Sequence, residues 1–285
     1  MLNRATSGFR APRQPVKVAL LTSGRAPGIA DLLGDPARGR AWELVLGVTS
    51  DQACASRAEF LAAGIPLVTH DLAAFYARRG APRRDLGLRV EYDQETLDLL
   101  RPHRPDLLVL SGYLHILTVP VLAAFPDAVI NVHDSDLTLP GDDGKPRYRG
   151  LRSTRDAIVA GERETRVSAH LVTAQVDVGP VLVRSEPFPT HPMVADARRW
   201  GATDILKAYA YAQREWMMRA AWGRVLRTAI RVVAEGRFRV LEGRAVVNGA
   251  PGPFELAAPG AAGRRPKTLP AGAADAAGYI AGIGV

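Results

Sequence analysis

Apolar runs broken by short polar turns alternate with segments of helical spacing along the first half of this chain. Val16–Thr22 (VKVALLT) is a continuous apolar run ending at Ser23 and Gly24, the pattern of a strand covered on both faces. Ile29–Leu33 has helical spacing, Glu43–Val48 reads as a second strand, and Ala53–Ala63 as a helix stopped by Gly64. Pro66–Thr69 is a short third strand. Asp93–Leu100 is amphipathic and begins with the acidic residue that a helix N-terminus favours. Asp106–Leu110 (DLLVL) and Ala128–Val132 read as a fourth and a fifth strand. Strands alternating with helices predict a Rossmann-like, mostly parallel α/β sheet with helices on both faces and right-handed crossovers. In such open sheets ligands sit beyond the C-terminal ends of the strands.

The pattern changes in the second half. Leu151–Ala160 is helical, and two strands follow at Arg166–Thr173 and Val181–Pro187, joined by AQVDVGP and expected to add to the sheet as a hairpin. Residues 202–235 predict a long C-terminal helical stretch, after which Phe238–Val240 and Ala245–Val247 can pair as a small hairpin across LEGR. The expected organisation is a mobile arm over residues 1–15, one catalytic domain over 16–256, and an Ala/Gly/Pro-rich, weakly ordered tail over 257–285. No internal repeat is visible.

Composition narrows the classes. The chain has 285 residues, 47% of them hydrophobic, enough for one sizeable core. No apolar run approaches the roughly 18 residues a membrane span requires. The N-terminal MLNRATSGFRAPRQP has basic residues but no apolar block after them, so it does not read as a secretory signal. Cys54 is the single cysteine, which forbids an internal disulfide and supplies no metal cluster. A cytoplasmic protein without a bound metal is expected. The net charge of +8 comes mostly from scattered arginines in a chain rich in Ala, Gly and Pro. That reads as coding bias, or as attraction for a small anion, rather than as a nucleic-acid surface.

The densest chemistry lies at Val129–Thr138 (VINVHDSDLT), where an apolar strand runs into Asn131, His133, Asp134, Ser135 and Asp136. Side chains two apart on a strand share a face, so Asn131 and His133 point the same way. An amide donor and an imidazole side by side suit acyl chemistry: the amide donates to a developing oxyanion, and the imidazole donates to it or delivers a proton. Asp177, in the loop after the sixth strand, could position and charge the histidine. Turn residues with a packed histidine would produce the same three-residue pattern.

The ordered set INVH, YRGLRST and VSAHLVTAQVDVGPVLV, together with LVLSGYLHIL at 108–117, resembles the folate-dependent formyltransferases, most of all those that formylate phosphoribosylglycinamide. The resemblance runs from about Val16 to Val247 and implies the formyltransferase fold. It implies Asn131, His133 and Asp177 as the catalytic trio and 10-formyltetrahydrofolate as formyl donor. The donor's pterin is then expected against Leu110, His115, Ile116, Leu117 and Val172, and against the loop backbone at Ala174, Gln175 and Val176. An apolar slot edged by free backbone groups is what a pterin needs. The amine acceptor, a phosphorylated small molecule, is expected against Ser23, Gly24, Arg25, Gly112, Asp134 and Glu215. His170 either braces Asn131 or is a buried structural histidine. The trio is expected to meet within about 10 Å in one cleft, with the His133 ring reaching solvent.

Three departures from the family pattern all fall on the acceptor side. The loop after the first strand, which in the family holds phosphate through backbone N–H groups, reads SGRAPG over Ser23–Gly28. Pro27 has no N–H, and Arg25 could restore an anion contact or simply be solvated. Asp134 replaces the usual proline after the histidine; it would favour a cationic acceptor, or cap a turn and point outward. About eight residues, Leu139–Pro146 (LPGDDGKP), lengthen the following loop. The leading expectation is formyl transfer to phosphoribosylglycinamide in purine biosynthesis, by a monomer or homodimer. A different amine acceptor, or water in a formyltetrahydrofolate hydrolase, is the alternative. The hydrolases that resemble this family usually carry an N-terminal regulatory domain, which a fifteen-residue arm is not expected to hold, and a methionyl-tRNA formyltransferase would need a C-terminal barrel. A folate- or nucleotide-binding protein without catalysis is the reading outside enzymes.

Overall fold

A computed structural model describes residues 14–259. Apart from Gln14, Pro15 and Ala257–Pro259, the expected arm and tail lie outside the described residues.

The first half builds β1 (Val16–Thr22), α1 (Ile29–Leu33), β2 (Trp42–Thr49), α2 (Arg57–Ala62), β3 (Leu67–Thr69), α3 (Leu72–Arg78), α4 (Leu86–Leu100), β4 (Leu107–Leu110), α5 (Val119–Ala124) and β5 (Val129–His133). These five strands pair in parallel in the order β3-β2-β1-β4-β5. The chain builds outward from β1 and then returns to its other side. The C-terminal ends of β1 and β4 therefore flank the crevice where the order reverses. After α6 (Ser153–Ala160) and β6 (Glu164–Thr165), β7 (Ser168–Leu171) joins antiparallel to β5, and β8 (Val181–Arg184) antiparallel to β7. The expected hairpin addition is thus present. β9 (Phe188–Pro189) pairs with β6, and α7 (Met193–Arg199) and α8 (Thr203–Met217) follow. A π-helical turn at Met218–Trp222 leads into α9 (Gly223–Ala234). β10 (Phe238–Leu241) and β11 (Arg244–Val247) form the terminal hairpin, extended by β12 (Ala250–Pro251). β13 (Phe254–Glu255) comes back to the main sheet parallel to β8.

The two faces of the sheet enter different cores. Val18, Leu20, Val109, Ile130 and Val132 pack with α1 and with Val225, Leu226, Ile230 and Val233 of α9. Ala19, Leu21, Leu108, Leu110 and Val129 pack with Leu100 of α4 and Val121 of α5. The α9 side chains are fully buried, and each such Val, Leu or Ile contributes about 1.5–3 kcal/mol. The first turn of α9 closes on the loop after β1: a Cβ at Gly28, where φ is +78°, would lie 2.6 Å from Gly223 Cα.

Two expectations need correction. The helix read as starting at Asp93 starts at Leu86, because Asp85 caps it by accepting from the N–H groups of Gly87 (2.9 Å) and Leu88 (3.2 Å). Asp93 is instead a fully buried interior residue. The Ala53–Ala63 helix is only Arg57–Ala62, since the Asp51 carboxylate accepts from Ala53 N and holds that segment in a turn. The long helical stretch is present as expected, running without a break from Thr203 to Ala234, with a π turn inside it that apolar spacing does not encode.

Candidate active site

On β5, Ile130 and Val132 turn toward the α9 core, so Asn131 and His133 project from the other face with Val129 and Leu110. β4 brings Leu110 level with Asn131, and β7 brings His170 opposite Asn131. Asp177 lies in the β7–β8 loop in the left-handed region, φ +55°, which Asp tolerates better than most residues. Gly179 lets that loop fold onto β7: a Cβ there would sit 1.8 Å from the Leu171 carbonyl oxygen.

The three residues singled out from the sequence meet here. Asp177 Oδ2 is 3.7 Å from His133 Nδ1, and Asp177 Oδ1 is 3.5 Å from His170 Nε2. Asn131 Nδ2 is 3.2 Å from His170 Nε2, and His170 Nδ1 is 2.9 Å from the Leu171 carbonyl oxygen. We assign the Nδ1–H tautomer to His170, which donates to that carbonyl and leaves Nε2 to accept from the Asn131 amide. The histidine is buried and braces Asn131 as well, so both readings of it hold together. Gly150 N–H donates to Asp177 Oδ2 at 2.8 Å. Burial alone would raise the Asp177 carboxyl. An imidazolium at His133 and the Gly150 N–H act the other way and hold the group below the usual carboxylate range.

The His133 ring does not open to solvent as expected. It is 8% exposed, and Nε2, the nitrogen turned from Asp177, is buried without a partner. That nitrogen is therefore available to a ligand atom or a water. Next to Asp177 a cleft of about 420 Å³ is lined by Lys145, Arg149, Gly150, Gln175, Val176 and Val178. Of the inserted residues Lys145 reaches its lining, and the insertion is an ordered hairpin, with Gly141 N–H donating to Lys145 O (2.7 Å) and Arg147 N–H to Leu139 O (2.8 Å).

The expected donor slot is partly assembled. Leu110 and Leu117 are buried in one cluster, with Val172 packed against it. Ile116 and Val176 are about half exposed and stand at the rim, where Ala174 and Gln175 are also exposed. The N–H groups of Ala174, Gln175 and Val176 make no hydrogen bond to another described residue, so the edge donors a pterin needs are free. His115 does not simply line the slot. Its Nε2 lies 2.9 Å from Ser50 Oγ, which also donates to Ser23 Oγ. Burial, then the charges of Arg89 and Arg83, push its pKa down to about 4.

The acceptor side is largely occupied by its own contacts. Ser23 N–H donates to Gly112 O (3.0 Å), Ala26 N–H to Ser56 Oγ (3.0 Å) and Ile29 N–H to Ala26 O (3.1 Å). With Pro27 lacking a donor, the loop keeps only the N–H groups of Gly24, Arg25 and Gly28 unengaged among the described residues. Arg25 pairs with Glu215 at 2.9 Å, so two residues expected to contact the acceptor contact each other. Asp134 is neither an open carboxylate beside the acceptor nor an outward turn cap. It is 6% exposed, its Oδ1 accepts from Ser153 Oγ (3.1 Å), and its Oδ2 is taken by Arg214 Nε.

Some residues of the site escaped the sequence reading. Arg89 and Asp93 lie one helical turn apart on α4. Arg89 is 4% exposed with Nε and Nη1 unpartnered, and Asp93 accepts from Thr118 N (2.5 Å) and Oγ1 (2.7 Å) at the end of the slot. Opposite charges four apart in RVEYD were the available signal, hidden by starting the helix at Asp93. Ser50 and Arg214 carried no such signal.

The formyl transferase family model matches residues 16–191. The chain belongs to the formyl transferase family. It is 29% identical over 178 residues to the phosphoribosylglycinamide formyltransferase of Mycobacterium tuberculosis H37Rv, covering 62% of this chain and 73% of that protein. It is 29% identical over 119 residues to the formyltetrahydrofolate deformylase of Escherichia coli K12, covering 42% of this chain and 40% of the relative. The match to the trifunctional purine biosynthetic protein adenosine-3 of Drosophila melanogaster, 28% identical, takes in 59% of this chain but spans only 11% of that protein's length. The glycinamide ribonucleotide transformylase 1 structure from Symbiobacterium toebii superposes with a TM-score of 0.59 at 25% identity, over 82% of this chain and 95% of that one. Among the described residues, no helix is long and apolar enough to cross a membrane.

Proposed function

We propose that this protein moves a formyl group from 10-formyltetrahydrofolate to an amine, by default that of phosphoribosylglycinamide, as a cytoplasmic step of purine biosynthesis. The meeting of Asn131, His133, His170 and Asp177 at one strand end carries the reading. The donor fits the residues present: Leu110, Leu117 and Val172 supply an apolar wall, and free backbone groups at Ala174–Val176 supply its polar edge. The donor brings the activated formyl group, and the chain's residues do the rest. His170 uses one N–H of the Asn131 amide, leaving the other for the oxygen that gains charge as the amine attacks. His133 Nε2 lacks a partner and can present a proton to the same oxygen or to the departing folate nitrogen. Asp177 holds a negative charge against the opposite side of the ring. The buried setting strengthens each of these interactions.

Hydrolysis of the donor is the second reading. It is favoured by the acceptor-side pairs Arg25–Glu215 and Asp134–Arg214, which leave water the least demanding nucleophile. Turnover of 10-formyltetrahydrofolate with phosphoribosylglycinamide, with a panel of other amines and with buffer alone separates the two. Amine-dependent release of tetrahydrofolate supports transfer, and equal release in buffer supports hydrolysis. No release under any condition rejects both.

A further inference from the structure

We infer that the acceptor's phosphate is gripped by the guanidinium of Arg214 rather than by the loop after β1. The inference rests on the transfer reading above and names the group that selects the acceptor. The loop is poorly equipped for an anion. The N–H groups of Ser23, Ala26 and Ile29 are spent inside the protein, Pro27 has none, and Arg25, with a side chain 51% exposed, is held only through Nη2 by a partly exposed Glu215, so its guanidinium is not fixed in orientation. α1 is only five residues long and adds little at its N-terminus.

Arg214 is differently placed. It reaches from α8 to Asp134, the residue directly after His133, so its guanidinium stands beside the reacting strand end. Only Nε is engaged there. Neither Nη atom has a partner among the described residues, and the side chain is 32% exposed while the Asp134 side chain is buried. Asp134 is itself immobilised, through Ser153 Oγ on its carboxylate and Thr154 Oγ1 (2.7 Å) on its carbonyl. A buried carboxylate that holds Nε fixes the plane of the guanidinium and leaves the two Nη groups as an oriented fork, the geometry that binds phosphate oxygens in pairs. The two departures then form one device: Asp134 is the positioning residue for Arg214, and Arg214 takes over what the loop no longer supplies. A compact ammonium could not hold Asp134 and a phosphate in the same plane.

Two readouts test this, one of them independent of turnover. Inorganic phosphate is titrated into wild-type protein and into Arg214→Gln, following the arginine Nε–H resonances. Loss of a charge-assisted fork should weaken phosphate binding by about tenfold or more, with Arg214→Lys restoring only part and Arg199→Gln, which removes the same charge on α7, leaving it unchanged. In parallel, kcat/KM is compared for phosphoribosylglycinamide and for glycinamide, which offers an amine without the phosphate. Arg214→Gln should lower the ratio of the two by a similar factor, through KM. Wild-type protein that does not bind phosphate, or Arg214→Gln that binds it as well as wild type, overturns the inference. An unchanged ratio overturns it too. Phosphate binding lost in Arg214→Gln, in a protein that releases no tetrahydrofolate with any acceptor, would keep Arg214 as a phosphate site and reject the transfer reading instead.

Discussion

Replacing Asp177 by Asn removes one negative charge and almost nothing else. Asn tolerates the left-handed φ of +55° at this position, and the side chain keeps its size. The Gly150 N–H donates to Oδ2, so the amide oxygen of the variant must stay on that side, facing His133 Nδ1. The amide nitrogen then takes the place of Oδ1 and faces His170 Nε2, 3.5 Å away. Two losses follow. An imidazolium at His133 loses a carboxylate 3.7 Å from Nδ1, worth about 4 kcal/mol at an effective dielectric near 20. The new amide also competes with Asn131 for the lone pair on His170 Nε2, loosening the oxyanion donor. The first loss alone corresponds to about a thousandfold in rate. The assay is single-turnover formyl transfer from saturating 10-formyltetrahydrofolate, alongside equilibrium binding of tetrahydrofolate. Binding should hold within a few-fold, because the slot at Leu110, Leu117 and Val172 is untouched. A rate loss under about tenfold, or parallel losses of rate and binding, would refute the argument that Asp177 acts through its charge on His133.

Gly179→Ala places a methyl against the Leu171 carbonyl; overpacking of this kind costs about 1–3 kcal/mol, seen as a lower Tm, and should also reduce kcat by shifting the loop that carries Asp177. Asp134→Ala leaves Arg214 and Ser153 without their partner and should destabilise by about 1.5–3 kcal/mol in urea unfolding, whatever the acceptor proves to be. His115, at about 4 when folded against 6.5 as a free group, stays neutral while the unfolded chain takes up a proton, so stability should fall as pH drops from 6.5 toward 4 and be unaffected above; His115→Gln should flatten that slope in pH-dependent unfolding. The depressed Asp177 carboxyl acts lower: its contribution is complete above the unfolded pKa of about 4 and is lost as pH falls through its lower folded value, a limb that should vanish in Asp177→Asn.

The sheet was legible because its central strands are covered on both faces and read as continuous apolar runs. β1, β4 and β5 lie close to where VKVALLT, DLLVL and AVINV placed them. The trio was legible because strand periodicity puts Asn131 and His133 on one face and a short loop returns Asp177 to the same sheet end. Elements set by local polar contacts were harder to see. The Asp85 cap moved the start of α4 by seven residues' worth of chain, from Asp93 to Leu86, and buried the Arg89–Asp93 pair. The acceptor wall was least legible. Whether Arg25, Asp134 and Glu215 face a ligand or protein partners depends on how α8 lies against the loops after β1 and β5, and no sequence spacing encodes the Arg25–Glu215 or Asp134–Arg214 contacts.

The central claim is that the end of β5 is where the formyl group is transferred, with His133 supplying the proton and part of the oxyanion stabilisation. The most direct measurement is kcat for formyl transfer by His133→Ala beside the dissociation constant of the folate donor. Loss of one such donor costs about 100–1000-fold in kcat, and the account predicts at least that, with donor affinity near wild type. Near-normal transfer by His133→Ala, in a variant that still binds the donor, would contradict it.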